Sequence, residues 1–287
     1  MVITSDLVKD TESSGPMKFS LTITTPEIQR AVPVALLDGP FERRLATAAA
    51  LGYDGVELMT ARPNTIDAAA VRAQVERAGL EVAAVSSGAQ SSLEKVTLLG
   101  NSSLGFERLV SLVRFAAEVG APVLTIGSFR GRLRIDEDAD EGRARLVELL
   151  RRAAATAQEY GTRLVIEPLN RYETDLVFNV GQGLALIEEV SHNHLGILFD
   201  SFHANIEEAS LRGSLSQVAA AGRLWHVHIA DSNRLAPGQG HLDFPDIFRT
   251  LAELGYMGYC SAELLAQPDP YTAAVQTIEY CRTFRAY

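Results

Sequence analysis

The chain has 287 residues, 47% of them hydrophobic and 22% charged, with a formal net charge of -10. That is enough chain for one large α/β barrel or two smaller domains, and the acidic balance argues against a nucleic-acid partner, which needs basic patches. Its two cysteines, Cys260 and Cys281, form neither a metal-spaced pair nor a disulfide framework, so a reducing, cytoplasmic setting is expected; no run of about eighteen apolar residues suggests a membrane helix.

The opening MVITSDLVKDTESSGP lacks the apolar core of a signal peptide, and it is polar from Asp10 to Pro16. Residues 1–16 read as a loose tail and 17–287 as the folded domain, beginning near Met17. From there, short runs rich in Val, Ile and Leu alternate with stretches of helical character. Strands are predicted at 19–24, 55–58, 82–86, 123–126, 164–166, 196–199, 225–229 and 259–262. Helices are predicted at 41–51, 68–78, 106–119, 141–160, 183–190, 215–221, 244–254 and 271–284. Gly52, Gly79, Gly120, Gly161, Gly222 and Gly255 each follow a helix and precede the next strand, as helix C-terminal glycines do. Eight βα units predict a (β/α)8 TIM barrel, an α/β fold. The rival is a doubly wound open sheet, but no GxGxxG follows the first strand, and no nucleotide cofactor is expected.

A barrel enzyme builds its site where strands end, so the polar residues at those ends carry the functional reading. After the third strand, SSGAQSSLEK offers Gln90 or a serine to a substrate. After the fourth, GSFRGRLRIDEDADEGRAR places Arg130, Arg132 and Arg134 within reach of the barrel mouth. Guanidinium forks there suit a substrate carboxylate or phosphate, unless they pair with the acidic run from Asp136 to Glu141. The fifth strand ends in VIEPLNRYETD, where an apolar run stops on Glu167 and Pro168. The sixth ends on Asp200, the seventh carries His228 in WHVHIAD, and the eighth ends on Glu263.

Glu167, Asp200, His228 and Glu263 are each about one βα unit apart, so they can converge from four adjacent strands. Any one of them alone reads as a solvated strand-end charge. Four in succession do not, because three carboxylates cannot be buried together without a cation. Three oxygen donors and one imidazole form a hard site that favours Mn2+ or Mg2+, with Co2+ or Zn2+ as competitors. In the following loops, Glu173 lies six residues past Glu167, His203 three past Asp200 and Arg234 six past His228, suited to a substrate's oxygens. His226 shares a strand face with His228 and reads as a deeper histidine.

EPLNRYE at 167–173, FDSFHANIEE at 199–208, HVHIADSNRLAPGQGHLDF at 226–244 and SAELL at 261–265 resemble the motifs of the xylose-isomerase-like TIM barrels. Within them the chain is similar to ketose 3-epimerases of the D-tagatose 3-epimerase type and to 5-keto-L-gluconate epimerases. The resemblance implies a divalent-metal-dependent epimerase of a keto-sugar or keto-sugar acid, in which Glu167, Asp200, His228 and Glu263 bind the metal. It makes Glu167 and Glu263 the two acid/base groups, working through a metal-stabilised enediolate, and gives Glu173, His203 and Arg234 the substrate contacts. A homodimer or homotetramer is also implied. Pro168 and the Arg130-Gly131-Arg132 loop resemble the keto-gluconate group, since neutral ketose 3-epimerases more often carry Val at the proline position; this favours a keto-acid. The alternatives are an aldose–ketose isomerase such as hydroxypyruvate isomerase and a non-catalytic sugar-binding barrel. A DNA-repair endonuclease of this fold would need a histidine-rich zinc cluster, and no histidine precedes His192.

Overall fold

In the computed structural model, residues 17–134 and 136–285 are described, and the expected tail over 1–16 lies outside them. Eight parallel strands close into a barrel in the order β1-β2-β3-β4-β5-β6-β7-β8. They are β1 (Lys18–Thr24), β2 (Gly55–Met59), β3 (Glu81–Ser86), β4 (Val123–Ile126), β5 (Arg163–Ile166), β6 (Leu195–Asp200), β7 (Leu224–Ile229) and β8 (Tyr259–Ala262). The α/β barrel expected from the βα alternation is the fold, and each predicted strand overlaps an observed one. The six helix-ending glycines all adopt a left-handed φ, between 65° and 90°, where a side chain would be strained.

The helices are α1 (Phe41–Leu51), α2 (Ala68–Arg77), α3 (Gly88–Ser92), α4 (Ser102–Glu118), α5 (Ala139–Glu159), α6 (Val180–Val190), α7 (Ser201–Glu207), α8 (Leu211–Ala220), α9 (Phe244–Glu253) and α10 (Pro270–Cys281). Two of them, α3 and α7, were not predicted; each sits in a loop above the barrel, too short to show a helical period. Among the described residues no helix is long and apolar enough to cross a membrane.

Alternation along each strand decides what faces where. Phe19, Leu21 and Ile23 of β1, Leu164 and Ile166 of β5, and Val227 and Ile229 of β7 join the large apolar core with helix residues such as Leu112, Leu150 and Phe248. The intervening positions point into the barrel. On β3 to β6 the deeper ones are apolar, with Ala84, Val123, Val165 and Leu198 forming a small cluster of their own, while Ser86, Thr125 and Asp200 nearer the strand ends are polar. On β1, β2, β7 and β8 they are polar and buried: Ser20, Thr22, Glu57, His226, His228 and Ser261. Glu167 and Glu263 continue the inward parity one residue beyond β5 and β8, and Asp200 ends β6 on the same parity. The fold thereby delivers four polar groups to one end of the barrel.

Candidate metal centre and active site

The carboxylates of Glu167, Asp200 and Glu263 and the imidazole of His228 are all buried and offer ligand atoms lying within 4.8 Å of one another. His228 Nδ1 stands 3.6 Å from Glu167 Oε1, 3.7 Å from Asp200 Oδ2 and 3.6 Å from Glu263 Oε2. A cation about 2.1 Å from each ligand in a tetrahedral or octahedral shell separates them by roughly 3.0–3.4 Å, close to these spacings. Three of the four ligand atoms, Glu167 Oε1, Asp200 Oδ2 and His228 Nδ1, are buried with no hydrogen-bond partner. Buried polar atoms are rarely left so, and the donor set therefore fits a divalent cation.

Local structure prepares each ligand. Asp200 caps α7, its Oδ1 accepting from Phe202 N at 2.7 Å and His203 N at 3.3 Å, which leaves Oδ2 free to face the cluster. Gly127 makes room for Glu167: a Cβ built there would lie 2.1 Å from Glu167 Oε2. The carboxylates differ in electrostatics. Burial, with Glu263 and Asp200 nearby, pushes Glu167 up to about 8 despite its contact with His228. Burial likewise raises Glu263, against the pull of His228 and Arg234. For Asp200 burial is outweighed by the charges of His203, Arg234 and His228, and its carboxyl is held below the ordinary range. His228 is held well above the usual imidazole range, because the surrounding carboxylates outweigh its burial.

The expected substrate contacts divide into two groups. His203, Glu173 and Arg234 line a cavity of about 310 Å³ that also reaches Glu167 and Glu263. Arg234 donates to Glu263 Oε2 at 2.8 Å, with its Nη1 3.1 Å from His203 Nε2. His203 Nδ1 accepts the backbone N–H of Asn170 at 3.2 Å, and burial lowers the ring to about 4, so it is neutral at pH 7. The Asn170 amide in turn donates to Glu173 Oε1 at 3.0 Å.

Arg130, Arg132 and Gln90 lie elsewhere. Arg130 is fully buried and donates to four backbone carbonyls: Glu167 at 2.6 Å, Leu176 at 3.0 Å, and Gly127 and Val177 at 3.2 Å. It clamps the β5–α6 loop against the end of β4 and is spent on the chain itself. Arg132 donates to Asp175 Oδ1 at 2.8 Å and Tyr172 O at 2.7 Å, so its acidic partner is in the β5–α6 loop rather than the run after Asp136. Gln90 donates to Thr60 O at 3.2 Å and Ala61 O at 2.7 Å, bracing the loop after β2. From its segment, Ser86 and Ser92 line the cavity instead.

Glu57, the inward residue of β2, was missed. It is fully buried, accepting from His226 Nε2 at 2.8 Å and lying 3.1 and 3.2 Å from His228 Nε2. Burial opposes its charge, yet His228 and the two imidazole contacts hold it well below the carboxylate range. The available signal was a carboxylate in mid-strand, in GVELM, between two apolar positions.

With the geometry in place, residues 45–284 match the family described as xylose isomerase-like TIM barrel. The chain is 32% identical to the L-ribulose 3-epimerase of Mesorhizobium japonicum, over 77% of this chain and 74% of that protein. It is 29% identical to the 3-dehydro-D-guloside 4-epimerase of Escherichia coli, over 81% of this chain and 90% of that one. The solved structure of a D-psicose 3-epimerase in the presence of D-fructose superposes with a TM-score of 0.78, at 20% identity, covering 94% of this chain and all (100%) of that one. At that identity the superposition speaks for the fold; the relatives are named as epimerases, enzymes of the isomerase class.

Proposed function

Because the chain belongs to the xylose isomerase-like TIM-barrel family, we propose that it is a divalent-metal-dependent epimerase acting beside the carbonyl of a keto-sugar. The observation that carries this reading is the convergence of four buried ligand atoms, three without a hydrogen-bond partner, two of whose residues, Glu167 and Glu263, line a cavity.

Glu167, Asp200, His228 and Glu263 would hold the cation, with Mn2+ the best match to three oxygens and one imidazole. When bound, such an ion supplies a Lewis acid that draws charge from the carbonyl while the neighbouring C–H is broken. Glu167 and Glu263 come from strands β5 and β8, at opposite ends of a four-strand arc, so they can address a sugar carbon from two sides. One carboxylate takes the proton from carbon and the other returns a proton to the opposite face, which inverts the centre. Arg234 and His203 would hold the substrate's oxygens beside Glu263 and Glu167, and Glu173 a hydroxyl further out.

The cavity also bears on the substrate. Its lining offers the hydroxyls of Ser86, Ser92, Thr125 and Ser128 and the apolar groups of Val34 and Met59, while the one cationic side chain among the described residues that line it, Arg234, is already paired with Glu263. With Arg130 and Arg132 committed elsewhere, the keto-acid favoured by Pro168 loses its counter-charge. We therefore read the substrate as an uncharged ketose. A volume of about 310 Å³ is at the low end for small-ligand sites and suits a monosaccharide.

The test is a panel of ketopentoses, ketohexoses, 3-keto-glycosides and keto-sugar acids incubated with metal-loaded protein and resolved by chromatography. A second ketose of inverted configuration is expected from a neutral substrate. An aldose product would make the enzyme an isomerase, and turnover confined to keto-acids would remove the argument from the cavity's charge.

A further inference from the structure

We infer that Glu57, locked by His226, is a positioning residue that fixes which nitrogen of His228 is presented to the metal. The inference rests on the metal-centre reading of Glu167, Asp200, His228 and Glu263, and concerns residues outside that ligand set.

A neutral imidazole carries its proton on one nitrogen and a lone pair on the other, and only the lone pair can serve a cation. His228 lies between two groups of carboxylate oxygens. Its Nε2 is 3.1 and 3.2 Å from the oxygens of Glu57, below the mouth of the barrel. Its Nδ1 is 3.6 to 3.7 Å from Glu167, Asp200 and Glu263. Glu57 only accepts in its ionised form, so it keeps a proton on Nε2, and the lone pair left on Nδ1 when a cation displaces the proton there faces the other carboxylates.

Glu57 itself is held in place by His226, whose Nε2 donates to Oε2 at 2.8 Å. The three side chains are all but inaccessible, at 0% exposure for Glu57 and 1% for each histidine. A buried carboxylate is costly unless its oxygens are satisfied, and here both are.

Glu57, His226 and His228 also offer ligand atoms close enough to hold an ion among themselves. The satisfaction of their atoms favours support over ligation. Glu57 Oε1 and Oε2, His226 Nε2 and His228 Nε2 all have hydrogen-bond partners, whereas Glu167 Oε1, Asp200 Oδ2 and His228 Nδ1 have none. The unsatisfied set asks for a cation; the satisfied set orients one of its members.

The experiment compares Mn2+ binding to metal-stripped wild type, Glu57→Gln and Glu57→Ala by electron paramagnetic resonance, with stoichiometry by calorimetry. Orienting partners of metal-bound histidines are typically worth about 10–100-fold in affinity. Glu57→Gln, which keeps one acceptor, is expected near the lower figure and Glu57→Ala near the upper. Binding by a folded Glu57→Ala within twofold of wild type overturns the inference. Two ions per wild-type chain, one of them lost in Glu57→Ala, also overturns it and makes Glu57 a ligand. Should the variants fail to fold, nitrogen-15 histidine spectra of Zn2+-loaded wild type decide: a proton on His228 Nε2 and a metal-shifted Nδ1 support the assignment, and the reverse overturns it. A wild type that binds none of Mn2+, Mg2+, Co2+ or Zn2+ removes the metal-centre reading itself, a result distinct from an unaffected variant.

Discussion

Gly127→Ala tests how tightly the ends of β4 and β5 constrain the site. A Cβ at this position would lie 2.1 Å from Glu167 Oε2, and real Cβ atoms essentially never come within 3.0 Å of a neighbour. The Glu167 carboxylate must therefore retreat by about 1 Å. A misplacement of about 1 Å in a catalytic group costs on the order of 100-fold in rate, or about 2.7 kcal/mol of barrier. The methyl contacts a side-chain tip rather than backbone, so the fold should tolerate it. The assay is kcat on the best ketose of the panel together with Mn2+ affinity and Tm. Both kcat and affinity should fall by about 100-fold or less, with Tm within a few degrees of wild type. A variant with wild-type kcat and affinity would show that Glu167 need not occupy its observed position.

Arg130→Met should lower stability by about 3 kcal/mol, because four carbonyls lose their donor and the loss is only partly offset by removing a buried charge; a substrate-binding arginine would instead raise KM with Tm unchanged. Arg234→Ala should raise KM for the ketose and lower kcat, since it lies against both His203 and Glu263, whereas Arg132→Ala, whose pairing with Asp175 is exposed, should change stability by less than about 1 kcal/mol and leave kinetics intact. The pH dependence follows from Glu167, raised from 4.5 to about 8, and from His228, raised above 6.5. Both raised groups hold protons more tightly in the folded, metal-free protein, so their stabilising effect is present at low pH and lost as pH rises towards 8. The depressed His203 and His226 oppose this below pH 6.5, so metal-free Tm should fall across roughly pH 6.5 to 8, the gain in Tm on adding Mn2+ should grow over the same window, and calorimetry in buffers of different ionisation enthalpy should register proton release on binding.

The barrel was legible because strand alternation and the glycine punctuation between helix and strand are local signals. Parity also brought out Glu167, Asp200, His228 and Glu263, since each sits where an inward-facing position runs out of strand. Contacts over long sequence distances were not legible. Glu57 meets His226 and His228 across 169 and 171 residues, and nothing in GVELM names its partner. Arg130 looked like an anion fork because its acceptors, the carbonyls of Leu176 and Val177, are 46 and 47 residues downstream and leave no trace in side-chain identity. Gln90 was misplaced for the same reason: it brackets backbone, while the less conspicuous Ser86 and Ser92 reach the cavity. The shift from keto-acid to uncharged ketose follows from where those two arginines go, a fact of packing that Pro168 could not convey.

The central claim, that two glutamates exchange protons with a carbon beside a carbonyl, is tested most directly by running the reaction in D2O. Metal-loaded wild type should form the epimer with deuterium bound at the inverted carbon, and Glu167→Gln or Glu263→Gln should each abolish inversion. Epimer formed without solvent deuterium, or undiminished inversion by either glutamine variant, would contradict the account.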